Sequence, residues 1–140
     1  MIKKILLPED VNLILMDVTP NQHFNLHMGT SIKNLQELAE ALEIMDDDAF
    51  KHHVTKDKND FSNWVKNVIY DVDLSKDLFN AKSRKKAFDV VSQRIEQLKK
   101  LRSGYATKDK TNLFTDRFLI GLVLGLVLGF LISAIINGLI

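Results

Sequence analysis

The last 23 residues, Phe118 to Ile140, constrain this chain more than any other stretch. None is charged, sixteen are Leu, Ile, Val or Phe, and the other seven are four glycines with Ser133, Ala134 and Asn137. An α-helix rises ~1.5 Å per residue, so the run covers roughly 34 Å against ~30 Å for a bilayer's hydrocarbon core. Each large apolar residue favours insertion by about 0.3–0.6 kcal/mol near a helix centre. A helix packed on a small water-soluble protein needs a polar face, and this run has none. The sequence therefore predicts one transmembrane helix over 118–140.

Charge is distributed unevenly ahead of that run. Residues 1–81 hold 8 Lys/Arg and 14 Asp/Glu, whereas residues 82–102 hold 8 basic and 2 acidic side chains. Lys108, Lys110 and Arg117 precede the apolar run and no basic residue follows it. The positive-inside tendency then places the N-terminal part in the cytoplasm, with the membrane expected to be the plasma membrane of a prokaryote. Lys3 and Lys4 resemble the start of a signal peptide, but Pro8, Glu9 and Asp10 interrupt it. There is no cysteine, which excludes a disulfide framework and a thiolate metal site.

The expected fold class is mainly α: a small helical bundle with a short N-terminal β-hairpin, plus the C-terminal transmembrane helix. Its parts are an irregular segment over 1–22, the helical domain with its hairpin over 23–102, a juxtamembrane linker over 103–117, and the anchor. Phe24, Leu26 and Met28 alternate with His23, Asn25 and His27, which predicts a hairpin turning near Gly29. Asn34-Leu35-Gln36-Glu37 is a capping-box pattern, and Leu35, Leu38, Ala39, Leu42 and Met45 make one helical stripe. Asp46 is the expected cap of a short third element, and Asn59 or Asp60 that of a helix carrying Phe61, Trp64, Val65 and Val68. Asp73 is the expected cap of the next helix. Ser83 should begin a longer one, with Ala87, Phe88, Val91, Ile95, Leu98 and Leu101 inward and Arg94 on a basic outer face. Gly104 is expected to end that helix.

The string FNLHMGTSIKNLQEL (Phe24 to Leu38), the pair His53-Val54, and NDFSNWV (Asn59 to Val65) resemble an uncharacterised family of small archaeal and bacterial helical domains. The likeness spans about residues 23–95. This chain has Met28-Gly29 and Tyr70-Asp71 where the family shows other turn residues. The resemblance implies a small, mainly helical domain and a prokaryotic source, and it carries no activity.

Candidate chemistry is sparse. His53, Asn59 and Asp60 lie close together in sequence, and a histidine oriented by a carboxylate is the arrangement a general base requires. The same residues also suit loop tethering and helix capping, and no nucleophile elbow or phosphate loop accompanies them. The expectation is therefore no enzyme, no cofactor and no metal. His23, His27, His52 and His53 match no zinc spacing. Gly121, Gly125, Gly129 and Ser133 recur every fourth residue, which suits close helix pairing in a bilayer. Arg84, Lys85, Lys86, Lys99, Lys100 and Arg102 are candidates for contact with anionic lipid.

The composite expectation is a tail-anchored, single-pass membrane protein displaying a cytoplasmic binding or adaptor domain. Its expected partners are the bilayer, a second copy or another membrane helix, and a cytoplasmic protein, with no nucleic acid. The alternatives are a membrane-tethered enzyme using His53 and Asp60, and a lipid-contacting module using the basic helix over 84–102.

Overall fold

A computed structural model describes residues 6–27 and 29–138, without the side chains at 107–119, 121, 130, 131, 134, 136 and 137. The chain divides into two compact units, Met1–Arg102 and Ser103–Ile140. The first is a small helical bundle with a short β-hairpin.

Helix α1 (Pro8–Leu15) lies where irregular chain is expected. Pro8 opens it because proline's missing N–H is no loss at a first helical position. Asp10 accepts a hydrogen bond from the Leu7 N–H at 3.0 Å. Val11 and Ile14 are buried, and α1 packs against the capped helix α2 (Leu35–Ile44). A single 3₁₀ turn, Pro20–Gln22, leads into the hairpin. Strands β1 (Phe24–Asn25) and β2 (Ser31–Ile32) pair antiparallel, Phe24 opposite Ile32 and Asn25 opposite Ser31. Gly29 has φ +87°, a left-handed conformation that a side chain would strain.

The Asn34 side chain caps α2 by accepting from the Glu37 N–H at 2.8 Å. Glu37 reaches back one residue further than a capping box requires, to the Lys33 N–H at 3.0 Å. Leu35, Leu38, Ala39 and Leu42 are buried, as the stripe predicts. Asp46 caps α3 (Asp47–His53), and Asn59 caps α4 (Asp60–Trp64). A π-helical turn, Val65–Ile69, follows without a break and ends at Tyr70. Helix α5 (Val72–Asn80) is capped by Asp71, not by the expected Asp73. The core gathers Val11, Ile32, the α2 stripe, Phe50, Phe61, Trp64, Val65, Leu74, Leu78, Ala87, Val91, Ile95 and Leu98. The Trp64 indole N–H donates to the Gln22 carbonyl at 2.8 Å, so the bundle's one tryptophan also fastens the chain entering the hairpin.

Helix α6 runs Arg84–Gly138. Its backbone is helical through Gly104, so that glycine does not act as the expected helix stop. Nothing lies within 4 Å of where a Cβ at Gly104 would sit. Leu101, expected inside, is exposed, and Phe88 is only half-buried.

The expected transmembrane helix requires correction. Among the described residues, no helix is long and apolar enough to cross a membrane. The single-pass, tail-anchored topology, the plasma-membrane localisation and the bilayer as partner are withdrawn with it. The membrane-helix partner goes with it, and nothing among the described residues supports the expected second copy or cytoplasmic protein partner. Lys108, Lys110, Arg117 and Gly121 lie outside the described side chains. Gly125, Gly129 and Ser133 are exposed, and open space surrounds both glycines.

Candidate functional site

His53, at the end of α3, and Asp60, at the start of α4, are brought together. Between them the chain closes a narrow loop, in which Thr55 donates to the Lys58 carbonyl at 2.8 Å and Val54 bridges to Asn59. The His53 Nδ1–H donates to Asp60 Oδ2 at 3.2 Å. Its Nε2 accepts from the His27 backbone N–H at 3.1 Å. An imidazole accepting at Nε2 and donating at Nδ1 is neutral and has no nitrogen left over. The ring is also enclosed, with only 6% of the residue exposed and ring centroids of Phe24 and Phe61 each 5.2 Å away.

This geometry corrects the enzyme alternative. A general base must present a free nitrogen to a substrate proton, and both nitrogens of His53 are occupied by the fold. Asn59 is likewise structural. Its amide donates to the Leu78 carbonyl at 2.8 Å while its oxygen accepts from the Ser62 N–H at 2.9 Å. Two hollows in this bundle are lined by Asp73, Leu74, Asp77 and side chains of α6, and by Val54, Thr55, Lys56 and Lys82. Neither reaches His53 or Asp60. Among the described residues, no group of three or more metal-ligating side chains is placed to hold an ion.

Three further groups surround the pair. The Lys58 ammonium lies 2.9 Å from Asp60 Oδ2. His52, exposed on α3, stacks on His27 with ring centroids 3.8 Å apart and planes 21° from parallel. Nearly parallel rings aim their lone pairs side by side and not at a common point, so the stack is no chelate. Desolvation of the His52 ring, reinforced by His27, His53 and Lys58, holds it below the ordinary imidazole value.

No family model, curated protein or solved structure matches this chain. The resemblance to an uncharacterised prokaryotic domain family is therefore withdrawn, along with the anchor attached to it.

The basic helix also differs from expectation. Arg84 donates to the Leu42 and Glu43 carbonyls at 2.7 and 2.6 Å, neutralising the negative end of α2. Arg94 turns inward, its Nε 2.7 Å and its second guanidinium nitrogen 3.1 Å from the two oxygens of Asp71, which is 2% exposed. Lys99 pairs with Glu96 at 3.5 Å. The lipid-contact alternative thus loses Arg84 to α2 and Lys99 in part to an ion pair, leaving Lys85, Lys86 and Arg102 exposed, with Lys100 also on the surface. Among the described residues no spanning helix holds these side chains near a bilayer.

Sequence reasoning placed turn residues at Tyr70-Asp71 but missed the conformation of Tyr70. Its φ is +64°, and it is the one described non-glycine residue with positive φ. Tyr70 closes the π-turn by donating its N–H to the Val65 carbonyl, and Asp71 donates to the same oxygen at 3.2 Å. That reversal delivers Asp71 to Arg94 and to the start of α5. The phenol itself stays out, 72% exposed, beside Val72 at 48%. Phe79 lies seven residues after Val72, on the same side of α5. No pattern of residue types announces a tyrosine in this conformation.

Proposed function

We propose that residues 6–102 form a non-catalytic recognition module whose contact point is Tyr70, flanked by Val72. The observation that carries this reading is a strained, bulky, exposed side chain. A tyrosine in the left-handed region is an outlier, since glycine or asparagine normally closes such a helix end. Strain of this kind concentrates at functional sites, and π-turns within helices do so as well. Nothing in the fold requires a phenol at position 70, because only its backbone N–H is used. The partner chemistry that fits is an apolar pocket able to take an aromatic ring.

Placing a photoreactive phenylalanine analogue at position 70 of the full chain, expressed in its native cells, tests the proposal. The exposed position Glu40 serves as control. A discrete covalent adduct at 70 and none at 40 is expected. The absence of an adduct at 70, or identical adducts at both positions, overturns it.

A further inference from the structure

We propose that His53 is a protonation-sensitive latch between the end of β1 and helix α3. Its Nε2 is the acceptor for the His27 N–H, and this is the hydrogen bond that joins the two segments there. Protonating Nε2 replaces the acceptor with a second donor, and two donors face one another at 3.1 Å. The bond cannot survive that change. His53 Nδ1–H, by contrast, keeps its Asp60 partner in either charge state.

The surroundings strengthen the response. Asp60 favours the charged ring, and its own negative charge is shared with Lys58. The second contact between the same two segments is the His27–His52 stack, and two charged imidazoles face to face repel. His52 also meets His53 edge-on at 5.1 Å, so the three rings form one contiguous cluster. Acid therefore weakens both of these contacts between the β1 end and α3, while the Phe24–His53 ring contact carries no hydrogen bond to lose. The packing behind them is aromatic and uncharged: Phe24 lies 5.1 Å from Phe61 and 5.9 Å from Trp64. Release of the β1 end changes the environment of Trp64, the chain's single tryptophan, while leaving the helices formed.

The test follows the His27 amide by hydrogen exchange and Trp64 by fluorescence in the full chain, over the window where imidazoles titrate, roughly pH 8 to 5. Far-UV circular dichroism monitors the helices. Loss of one such hydrogen bond corresponds to about a tenfold fall in His27 amide protection once the intrinsic pH effect is divided out. Trp64 emission is expected to change over the same range with helix content constant. Asp60→Asn removes the anion that favours the charged ring, so its transition moves to lower pH. His53→Gln, which keeps an acceptor but does not titrate, abolishes the transition. If that buried substitution fails to fold, the Asp60→Asn shift decides. His27 protection that stays flat across the range, or a transition that Asp60→Asn leaves in place, overturns the latch.

Discussion

Position 70 offers the sharpest test of the fold, because two substitutions there should rank opposite to their usual order. In an ordinary helical or extended site, alanine is more stable than glycine by about 0.5–1 kcal/mol, since glycine loses more freedom on folding. At φ +64° the comparison changes. Holding an L-residue in the left-handed region costs about 1–2 kcal/mol, because Cβ crowds the following carbonyl. Glycine has no Cβ and avoids that cost. Subtracting its entropic disadvantage leaves Tyr70→Gly more stable than Tyr70→Ala by about 0.75 kcal/mol on central values, and by about 1.5 kcal/mol at most. Both variants lose the same mostly exposed phenol, so that loss cancels in the comparison.

Thermal or chemical unfolding of the two full-length variants measures the difference. For a domain of this size, 1 kcal/mol corresponds to about 4–8 °C in Tm. Tyr70→Asn should fall near glycine, because asparagine also tolerates this conformation. If alanine equals or exceeds glycine, Tyr70 is not left-handed. The route by which Asp71 reaches Arg94 would then be wrong, and the strain argument for a contact site would fall with it.

Other positions make separate predictions. Arg94→Met should destabilise by about 3–5 kcal/mol, because it strands the Asp71 carboxylate in the core. Adding Asp71→Asn to it should restore part of the denaturation midpoint, and a strictly additive double variant would dissolve the pair. His52 has a lowered pKa in the folded chain, so the unfolded chain binds its proton more readily. Its contribution is complete above the unfolded value of ~6.5 and is lost as pH falls through it. The fall in urea midpoint between about pH 7.5 and 5.5 should therefore be smaller in His52→Gln than in the wild type. Gly104→Ala should stabilise by about 0.5–1 kcal/mol and raise helix content, since the site is helical with open space for a methyl group. A loss of helix there would reinstate Gly104 as a helix end.

What could be read in advance was local. Asn34, Asp46 and Asn59 are caps because a short side-chain acceptor ahead of an apolar stripe can satisfy the first free N–H groups. The stripes Leu35–Leu38–Ala39–Leu42 and Phe61–Trp64–Val65 follow from helical periodicity alone. Helix α1 was equally available, since Pro8 followed by Glu9 and Asp10 is a helix start. Reading that proline as an interruption concealed it. What escaped depended on contacts between distant residues. Arg94 belongs to a basic run by sequence, and only the reversal at Tyr70 brings Asp71 close enough to draw it inward. The Asp71-for-Asp73 cap has the same origin.

The candidate site divides along the same line. That His53 and Asp60 meet was legible, because seven residues containing a polar turn bring a helix end back to the next helix start. That His53 is not a base was not legible, because the group occupying Nε2 is a backbone N–H from the hairpin, 26 residues away. Side-chain spacing can propose a proton relay, but main-chain donors are available at almost every residue and leave no mark in the sequence. A buried histidine's role therefore turns on what reaches its second nitrogen. Here the answer both removes a catalytic base and creates the contact that protonation would break.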